Sequence, residues 1–570
     1  MRLIKKYWPA IVIIVFALLA GRALLTPGYF NMHDDLQMMR QLEMEKCFKD
    51  LQIPCRWVPD MGYGFGFPLF NYYPPLPYLV GEVIRLVGFS FVDTVKLVFL
   101  ISFIFSGIAM YYFSKEFFGK IGGILASVFY IWAPYHAVDV YVRGAMNEAW
   151  AFIWFPVILL FSYKLITGRR SLVTERIVLL SLSWAGLFLS HNLMVLIFTP
   201  IFAVWCLFWI WRSKNLVSSI KYLVSSGLLA LGLTTFFTLP AILEQKYVQV
   251  ETLVNGYYEY IAHYVTIGQL LTSRFWGYGP SVWLANDGMP FQIGHIHWML
   301  SLVIGGWWLV TCLKKKKSII RNSLFIIPFF LAVGWFAAFM THSRSTFIWQ
   351  ALPFLKFVQF PWRFLALVTL SFSFIAGFIV AVLRKLIPKY YALCAAALAL
   401  VLVAFNWNYF LPEHGKMGAL TDKEKFSGAA WDLQRTAGIF DYLPRTAKEN
   451  PKEGQSILAE TVGGKGQITD ARQGTNWARF QVAADKDGVM VRVNIFDFPN
   501  WKIFVDGNEV EMFIPENERW GRMYFSVPKG THKVYLKLYN TPLRSVSNII
   551  SLTVWLGLIG YLMLQFKRGR

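Results

Sequence analysis

The sequence predicts a polytopic α-helical membrane protein carrying an extracytoplasmic β-sandwich-like domain near its C-terminus. Three observations lead there. Hydrophobic residues make up 56% of the 570-residue chain, aromatic residues 18% and charged residues only 15%, far from a soluble multidomain composition. Apolar runs long enough to cross a hydrocarbon core, which takes about 20 residues of helix, recur along most of the chain. Between residues 411 and 544 the pattern changes to alternating apolar and polar residues broken by turn signals, the mark of half-buried strands.

The expected spans are 8–25, 92–113, 121–133, 150–166, 177–189, 193–211, 220–239, 299–313, 324–340, 364–383, 391–410 and 549–566, about twelve helices. The third, fifth and eighth are short, so their ends are expected to run into flanking residues such as Pro134, Tyr135 and Trp298. Residues 2–25 have the basic start of a secretory signal. The apolar run is long and lacks a small-x-small cleavage site, so it reads as an uncleaved first helix.

A net charge of +22 would suit a nucleic-acid partner if it formed a basic surface interleaved with stacking aromatics. Here it is dispersed. Basic residues crowd alternate short loops, among them Lys164, Arg169, Arg170, Arg176, Arg212, Lys214, Lys221, Lys314 to Lys317, Arg321, Arg384, Lys385, Lys389, Lys567, Arg568 and Arg570, and only Glu116 and Glu175 oppose them there. This is the positive-inside bias. It predicts cytoplasmic termini, an outer first loop and no nucleic-acid function.

Four outer segments are too long to be mere connections: 26–91, 134–149, 240–298 and 341–363. Within the first, "FPLFNYYPPLPYLVGEVIRLVGF" reads as one or two helices lying in the interface. All nine histidines, His33, His136, His191, His263, His295, His297, His342, His414 and His532, fall on the outer side in this topology. Together with Asp34, Asp35, Asp139 and Glu148 they predict a polar cavity at the outer helix ends. Cys206, Cys312 and Cys394 belong to apolar spans or their ends, as small hydrophobes. Cys47 and Cys55 share the first outer loop, where the sequence leaves a disulfide open.

Three motifs deserve individual reading. "VRGAMNEAW" places Arg143 before a helix start, with Asn147 as its N-cap and Glu148 in its first turn. In "LSHNLM", Ser190 and Asn192 read as capping residues of a tight turn, whereas His191 is harder to explain as a cap. "FVQFPWRFL" brings Arg363 to an outer helix end, where it either snorkels or offers its fork of donors to phosphate.

These stretches, "HDD" at 33–35, "RGAMNEA", "LSHN", "FVQFPWRFL" and "FPNWKIFVDG", resemble bacterial membrane proteins labelled as 6-pyruvoyl tetrahydropterin synthase-related and the YfhO-like proteins, over nearly the whole chain. The pterin label describes a small soluble zinc enzyme, which this architecture does not resemble. An acidic pair after the first span, a long first outer loop, about a dozen spans and a terminal outer domain are similar, more broadly, to the GT-C superfamily of membrane glycosyltransferases. The resemblance implies three parts: a GT-C-like transmembrane domain at 1–410, a β-rich domain at 411–544, and a last helix with a basic tail at 545–570. It also implies a bacterial plasma-membrane enzyme of the cell envelope that passes a sugar, with inversion, from a polyprenyl-phosphate donor to an extracytoplasmic glycan, lipid or protein.

Such a transfer needs a base for the acceptor hydroxyl and positive groups for the departing phosphate. By position Asp34 matches the base, and Asp35 would orient it or help hold a divalent cation, Mg or Mn. Glu148, His191 and His33 are candidates for acceptor binding, and Asp34, Asp35, Glu148 and His191 for metal ligation. Arg363, Arg274 or Arg143 would hold the lipid phosphate. The competing expectations are a non-catalytic exporter or flippase of lipid-linked glycans and a glycan-binding scaffold. Ion-coupled transport calls for ionisable residues deep in the spans, and the expected spans contain almost none.

Overall fold

The computed structural model describes residues 2–282, 287–313, 323–413, 418–438 and 441–567. Several residues of the sequence argument lie outside the described residues: His414, Lys314 to Lys317, Arg321, Arg568 and Arg570.

The expected spans fall on helices, though the first leaves the α-helix at Ala20 and ends in the 3₁₀ turn Arg22–Leu25. The long helices are α1 (Arg2–Ala20), α2 (Phe91–Ile131), α3 (Met146–Thr167), α4 (Val173–Phe188), α5 (Asn192–Ser213) and α6 (Leu216–Leu243), then α7 (His295–Leu313), α8 (Ser323–Met340), α9 (Leu365–Leu386), α10 (Tyr391–Asn406) and α11 (Pro542–Lys567). Among the described residues nine helices are long and apolar enough to cross a membrane, or ten if the pair Phe325–Met340 and Ser343–Ala351, bent by 98°, is one broken span. The chain is an integral membrane protein. The residues expected at 92–113 and 121–133 are two arms of α2, which breaks at Gly119, where φ is +73° and ψ −177°, a conformation open to glycine. The second arm does not run into Pro134 and Tyr135, which start a separate short helix, Pro134–Ala137. Proline has no N–H to continue the ladder.

Contacts divide the chain into two compact units. The first comprises residues 1–35, 92–230 and 254–420; the second comprises 36–91, 231–253 and 421–570.

In the first unit α9 is central. Its span is 89% buried, and it packs on α7 and α8, while α3 packs on α4 and α5. Phe374 sits between Phe113 and Phe330, with ring centroids 4.7 and 4.3 Å away. Lipid tails are as apolar as these rings, so association here relies on close van der Waals packing rather than on escape from water. Peripheral helices show the converse. The span of α11, in the second unit, is 11% buried and exposes Leu552, Leu556, Met563 and Phe566, a surface that only lipid covers without penalty.

In the second unit, the stretch expected to form one or two interfacial helices holds two short helices, Leu69–Tyr72 and Leu76–Leu86. It also holds one the sequence reading did not anticipate, Gln37–Lys49, whose Gln37, Arg40, Gln41 and Glu43 are buried. That helix has no apolar stripe to announce it. Cys47 and Cys55 are joined as a disulfide. The β region forms two antiparallel sheets, β1 (Ala459–Gly463), β4 (Val489–Phe496) and β7 (Arg522–Val527) in the order β1-β4-β7, and β2 (Gly466–Gln473), β3 (Trp477–Ala484), β5 (Trp501–Val505), β6 (Asn508–Val510) and β8 (Gly530–Leu538) in the order β2-β3-β8-β5-β6. In β3 Ala478, Phe480, Val482 and Ala484 are buried while alternate residues are not, and Phe480 meets Phe525 of β7 at 6.4 Å. Two inner faces thus share one core. Of the turn signals "DKDG" (485–488), "DGNE" (506–509) and "PKG" (528–530), only the second closes a hairpin: Asp506 and Gly507, both at positive φ, connect Val505 to its partner Asn508, as two-residue loops favour. "DKDG" and "PKG" instead carry the chain from one sheet to the other.

Candidate functional site

The site is built in the first unit from four separated stretches of chain. Following the helix Pro134–Ala137, residues Val138–Val142 form one π-helical turn, an irregularity that recurs at functional sites. The Arg143 N–H closes it on the Val138 carbonyl at 2.8 Å, and the Ala145 N–H bonds the Asp139 carbonyl at 2.7 Å. Gly144, at φ +63°, reverses the chain before α3 begins. A Cβ there would lie 2.2 Å from Met32 Sδ, so glycine is what lets the first outer segment come this close. That segment docks by main-chain bonds: the His33 N–H donates to the Val142 carbonyl at 3.0 Å and the Asp34 N–H to the Arg143 carbonyl at 2.9 Å.

The N-cap of α3 is Ala145, with no side-chain cap bond, so Asn147 is not the cap the sequence suggested but the second residue of the helix. With the chain already turned by Gly144, capping is left to the backbone. Glu148 lies in the first turn of α3, where the helix dipole favours a carboxylate. It is fully buried, as is Asp139, and Arg143 and Arg363 are 7% and 8% exposed.

These four groups close on one another. Arg143 Nη1 is 2.8 Å from Glu148 Oε2 and also pairs with Asp139. Arg363 Nε is 3.4 Å from the same Glu148 oxygen. The Tyr135 hydroxyl donates to Glu148 Oε1 at 2.6 Å and accepts from Arg143 Nη1 at 3.2 Å. Arg363 is steered from its own motif, donating through Nη1 to the Val358 carbonyl and to Gln359 Oε1, both at 2.8 Å. The Arg143 guanidinium lies over the Trp362 ring, 4.4 Å from its centroid. Trp362 in turn donates to Ser281 Oγ at 3.3 Å, and Ser281 meets His263 Nδ1 at 2.9 Å.

His191 completes the cluster in an unexpected way. It is the N-cap of α5, its Nδ1 accepting the N–H groups of Leu193 and Met194 at 3.2 Å each. Ser190, expected to cap, instead bonds the Gly186 carbonyl and accepts from Trp154 Nε1. An Nδ1 that accepts leaves the proton on Nε2, and Nε2 stands 3.9 Å from Glu148 Oε2. Burial lowers the His191 pKa to about 3, so the ring is a neutral donor.

Burial and the adjacent Glu148 charge push the Asp139 carboxyl well above the usual carboxylate range. For Arg143 burial acts to lower the pKa, but attraction to Glu148, Tyr135 and Asp139 outweighs it and holds the guanidinium charged.

The structure therefore brings together Arg143, Glu148, His191 and Arg363, and ties the backbone of His33 and Asp34 to the same turn. Asp34 and Asp35 are half-buried, while His33 is exposed, its Nε2 3.1 Å from the Tyr278 carbonyl. Arg274 goes elsewhere: its guanidinium stacks on Phe405 at 3.8 Å and bonds that residue's carbonyl at 3.1 Å. Tyr135, Trp362 and the role of Asp139 were not singled out from sequence. The i, i+4 spacing of Asp139 and Arg143 was the available signal.

Among the described residues no group of three or more His, Cys, Asp or Glu side chains is arranged to hold a metal ion. Asp139 and Glu148 are engaged by guanidinium groups and do not suit a cation. Asp34 and Asp35 offer two neighbouring carboxylates, a set that holds Mg²⁺ only alongside substrate phosphate oxygens and water.

No family model matches the sequence. The chain is 25% identical over 270 residues to an uncharacterised protein of Lactococcus lactis subsp. cremoris strain MG1363, covering 45% of this chain and 41% of the relative; it thus spans less than half the length of that relative. In structure it is similar to the oligosaccharyltransferase of Archaeoglobus fulgidus in two crystal structures. One is tethered through a disulfide bond to an acceptor peptide containing the NVT sequon (TM-score 0.45, 13% identity, 81% of this chain and 62% of the other). The other is in complex with zinc and sulfate (TM-score 0.38, 14% identity, 79% and 59%). At these scores the likeness carries no argument about chemistry.

Proposed function

We propose that this membrane protein is a GT-C-like glycosyltransferase, which takes a sugar from a polyprenyl-phosphate donor and passes it with inversion to an extracytoplasmic acceptor. The observation that carries this reading is the main-chain bond from Asp34 to the Arg143 carbonyl, 2.9 Å long. It brings the acidic pair of the first outer loop against the turn that holds the buried arginines, so that a base and a centre of positive charge are neighbours.

Asp34 removes the acceptor proton as the hydroxyl attacks the anomeric carbon, and Asp35 orients it. The phosphate leaves as an anion, which Arg363 and Arg143 stabilise. Because burial and Glu148 favour the protonated form of Asp139, the two guanidinium groups are opposed chiefly by the charge of Glu148, which leaves the cluster positive. A fixed charge in a water-poor setting costs no reorganisation when the leaving group becomes negative. Tyr135 and Glu148 hold the Arg143 fork in place, and in this reading His191 and His33 contribute to acceptor binding. A divalent cation, where the donor brings one, would be held by Asp34 and Asp35; no step here depends on it.

The test is sugar transfer by purified protein in detergent from a panel of radiolabelled polyprenyl-phosphate sugars, comparing wild type with Asp34→Asn and Asp35→Asn. Loss of the base should slow transfer by about a hundredfold or more with thermal unfolding unchanged. Transfer unaffected by either substitution overturns the assignment of the base, and a monodisperse wild type that transfers nothing across the panel turns the reading toward an exporter or scaffold.

A further inference from the structure

A second polar site lies at the ends of four helices, among the basic loops. The last turns of α3 and α5 and the first turns of α4 and α6 enclose a cavity of about 330 Å³. Arg170 and Arg212 line it, with Tyr163, Trp209, Ser218 and Ser219, and no acidic residue does.

Three independent features make this more than a crevice. Trp209 is 2% exposed, yet its Nε1 has no hydrogen-bond partner among the described residues, and a buried indole N–H without a partner is costly. Next, α6 opens onto the cavity: its first intrahelical bond is from the Ser219 N–H to the Asn215 carbonyl at 3.0 Å, so the N–H groups of residues 216–218 precede the ladder and carry the positive end of the helix dipole. Finally, the opposing carbonyl end of α3, which would repel an anion, is covered, since Arg176 Nη1 donates to the Lys164 carbonyl at 2.8 Å. Of the two acids on this side, Glu116 is paired with Lys164 at 3.1 Å, and Glu175, in the first turn of α4, is not among the lining residues. Two guanidinium groups, an indole, two serine hydroxyls and a helix N-terminus line the cavity, a set suited to phosphate.

We propose that this cavity binds a phosphate group, that of an anionic phospholipid. The lipid is favoured over a free ion because exposed apolar side chains flank the lining residues in the chain: Leu172, Trp211, Leu216 and Val217 offer a path for acyl chains beside the polar cavity. The positive-inside rule puts these loops on the leaflet surface rich in anionic lipid.

Native mass spectrometry of the full chain in detergent, with phosphatidylglycerol, phosphatidylcholine or inorganic phosphate added, tests this. The expected result is retention of phosphatidylglycerol but not phosphatidylcholine, with retention weakened about tenfold or more in Arg170→Gln/Arg212→Gln. Lys221→Gln removes a neighbouring exposed charge outside the lining and should leave retention unchanged. Inorganic phosphate that displaces phosphatidylglycerol only at large excess supports the lipid; phosphate that binds as tightly as the lipid assigns the site to a free ion and overturns the lipid. Equal retention of both phospholipids, or equal weakening by Lys221→Gln, overturns the site.

Discussion

His191 joins two tasks: its Nδ1 caps α5 while its Nε2 faces Glu148 Oε2 at 3.9 Å. The helix start and the ionic cluster are thereby registered to each other by one ring, and the cap dictates the tautomer that Glu148 meets.

That double role can be separated. His191→Ala should lose about 1 kcal/mol of stability with the cap, whereas His191→Asn, whose amide oxygen also caps, should recover most of it. Thermal unfolding of the two variants in detergent is the measurement. Equal destabilisation by both would mean that the contact with Glu148, not the cap, is what matters.

Glu148 and Asp139 are both buried carboxylates, yet they are expected to differ in how much neutralisation costs. Glu148→Gln leaves two buried guanidinium groups without their shared counter-charge, a loss of about 3–5 kcal/mol. Burial and the Glu148 charge raise the Asp139 pKa and favour its protonated form, so Asp139→Asn should cost less than about 1 kcal/mol. A ranking reversed in thermal unfolding would show that Asp139 carries the working charge.

Gly144→Ala adds a methyl group where Met32 Sδ lies 2.2 Å away, at a φ of +63°. Overpacking of this kind costs about 1–3 kcal/mol, and it should also loosen the docking of residues 33–34, reducing any transfer activity more than the stability loss explains. Shortening the neighbour in Gly144→Ala/Met32→Ala should relieve the steric part and leave the backbone part. Hydrogen exchange at the His33 and Asp34 amides reports the docking directly.

In the β region, burial raises the Asp497 carboxyl from 3.8 to about 6. A carboxyl whose pKa is raised on folding stabilises the fold fully below about pH 4, and that contribution is lost as the pH rises through about 6. Unfolding measured from about pH 4 to pH 7 should therefore show a loss of at most roughly 3 kcal/mol from this group, and Asp497→Asn should flatten the profile in that window. An unchanged profile in the variant would assign the pH dependence to another group.

Much of the architecture was legible because its signals are local. The apolar runs marked the long apolar helices, since a bilayer admits backbone only with its hydrogen bonds closed within the segment. Alternation and turn residues marked the β region. Two of its turns proved to be sheet crossings, because pairing is decided by partners distant in sequence. Gln37–Lys49 escaped notice because it buries Gln37, Arg40, Gln41 and Glu43, against the ordinary hydropathy rule.

The candidate site divides along the same line. The sequence by itself determined that Arg143, Glu148, His191 and Arg363 stand at helix ends, because short polar motifs interrupt apolar runs there. Only the tertiary structure decided that these four converge while Arg274 stacks on Phe405, that Tyr135 and Asp139 join them, and that a histidine rather than Ser190 or Asn192 caps α5. Burial is the physical reason: ionic groups withdrawn from water must find partners wherever the packing of helices distant in sequence supplies them, and no local pattern records that choice.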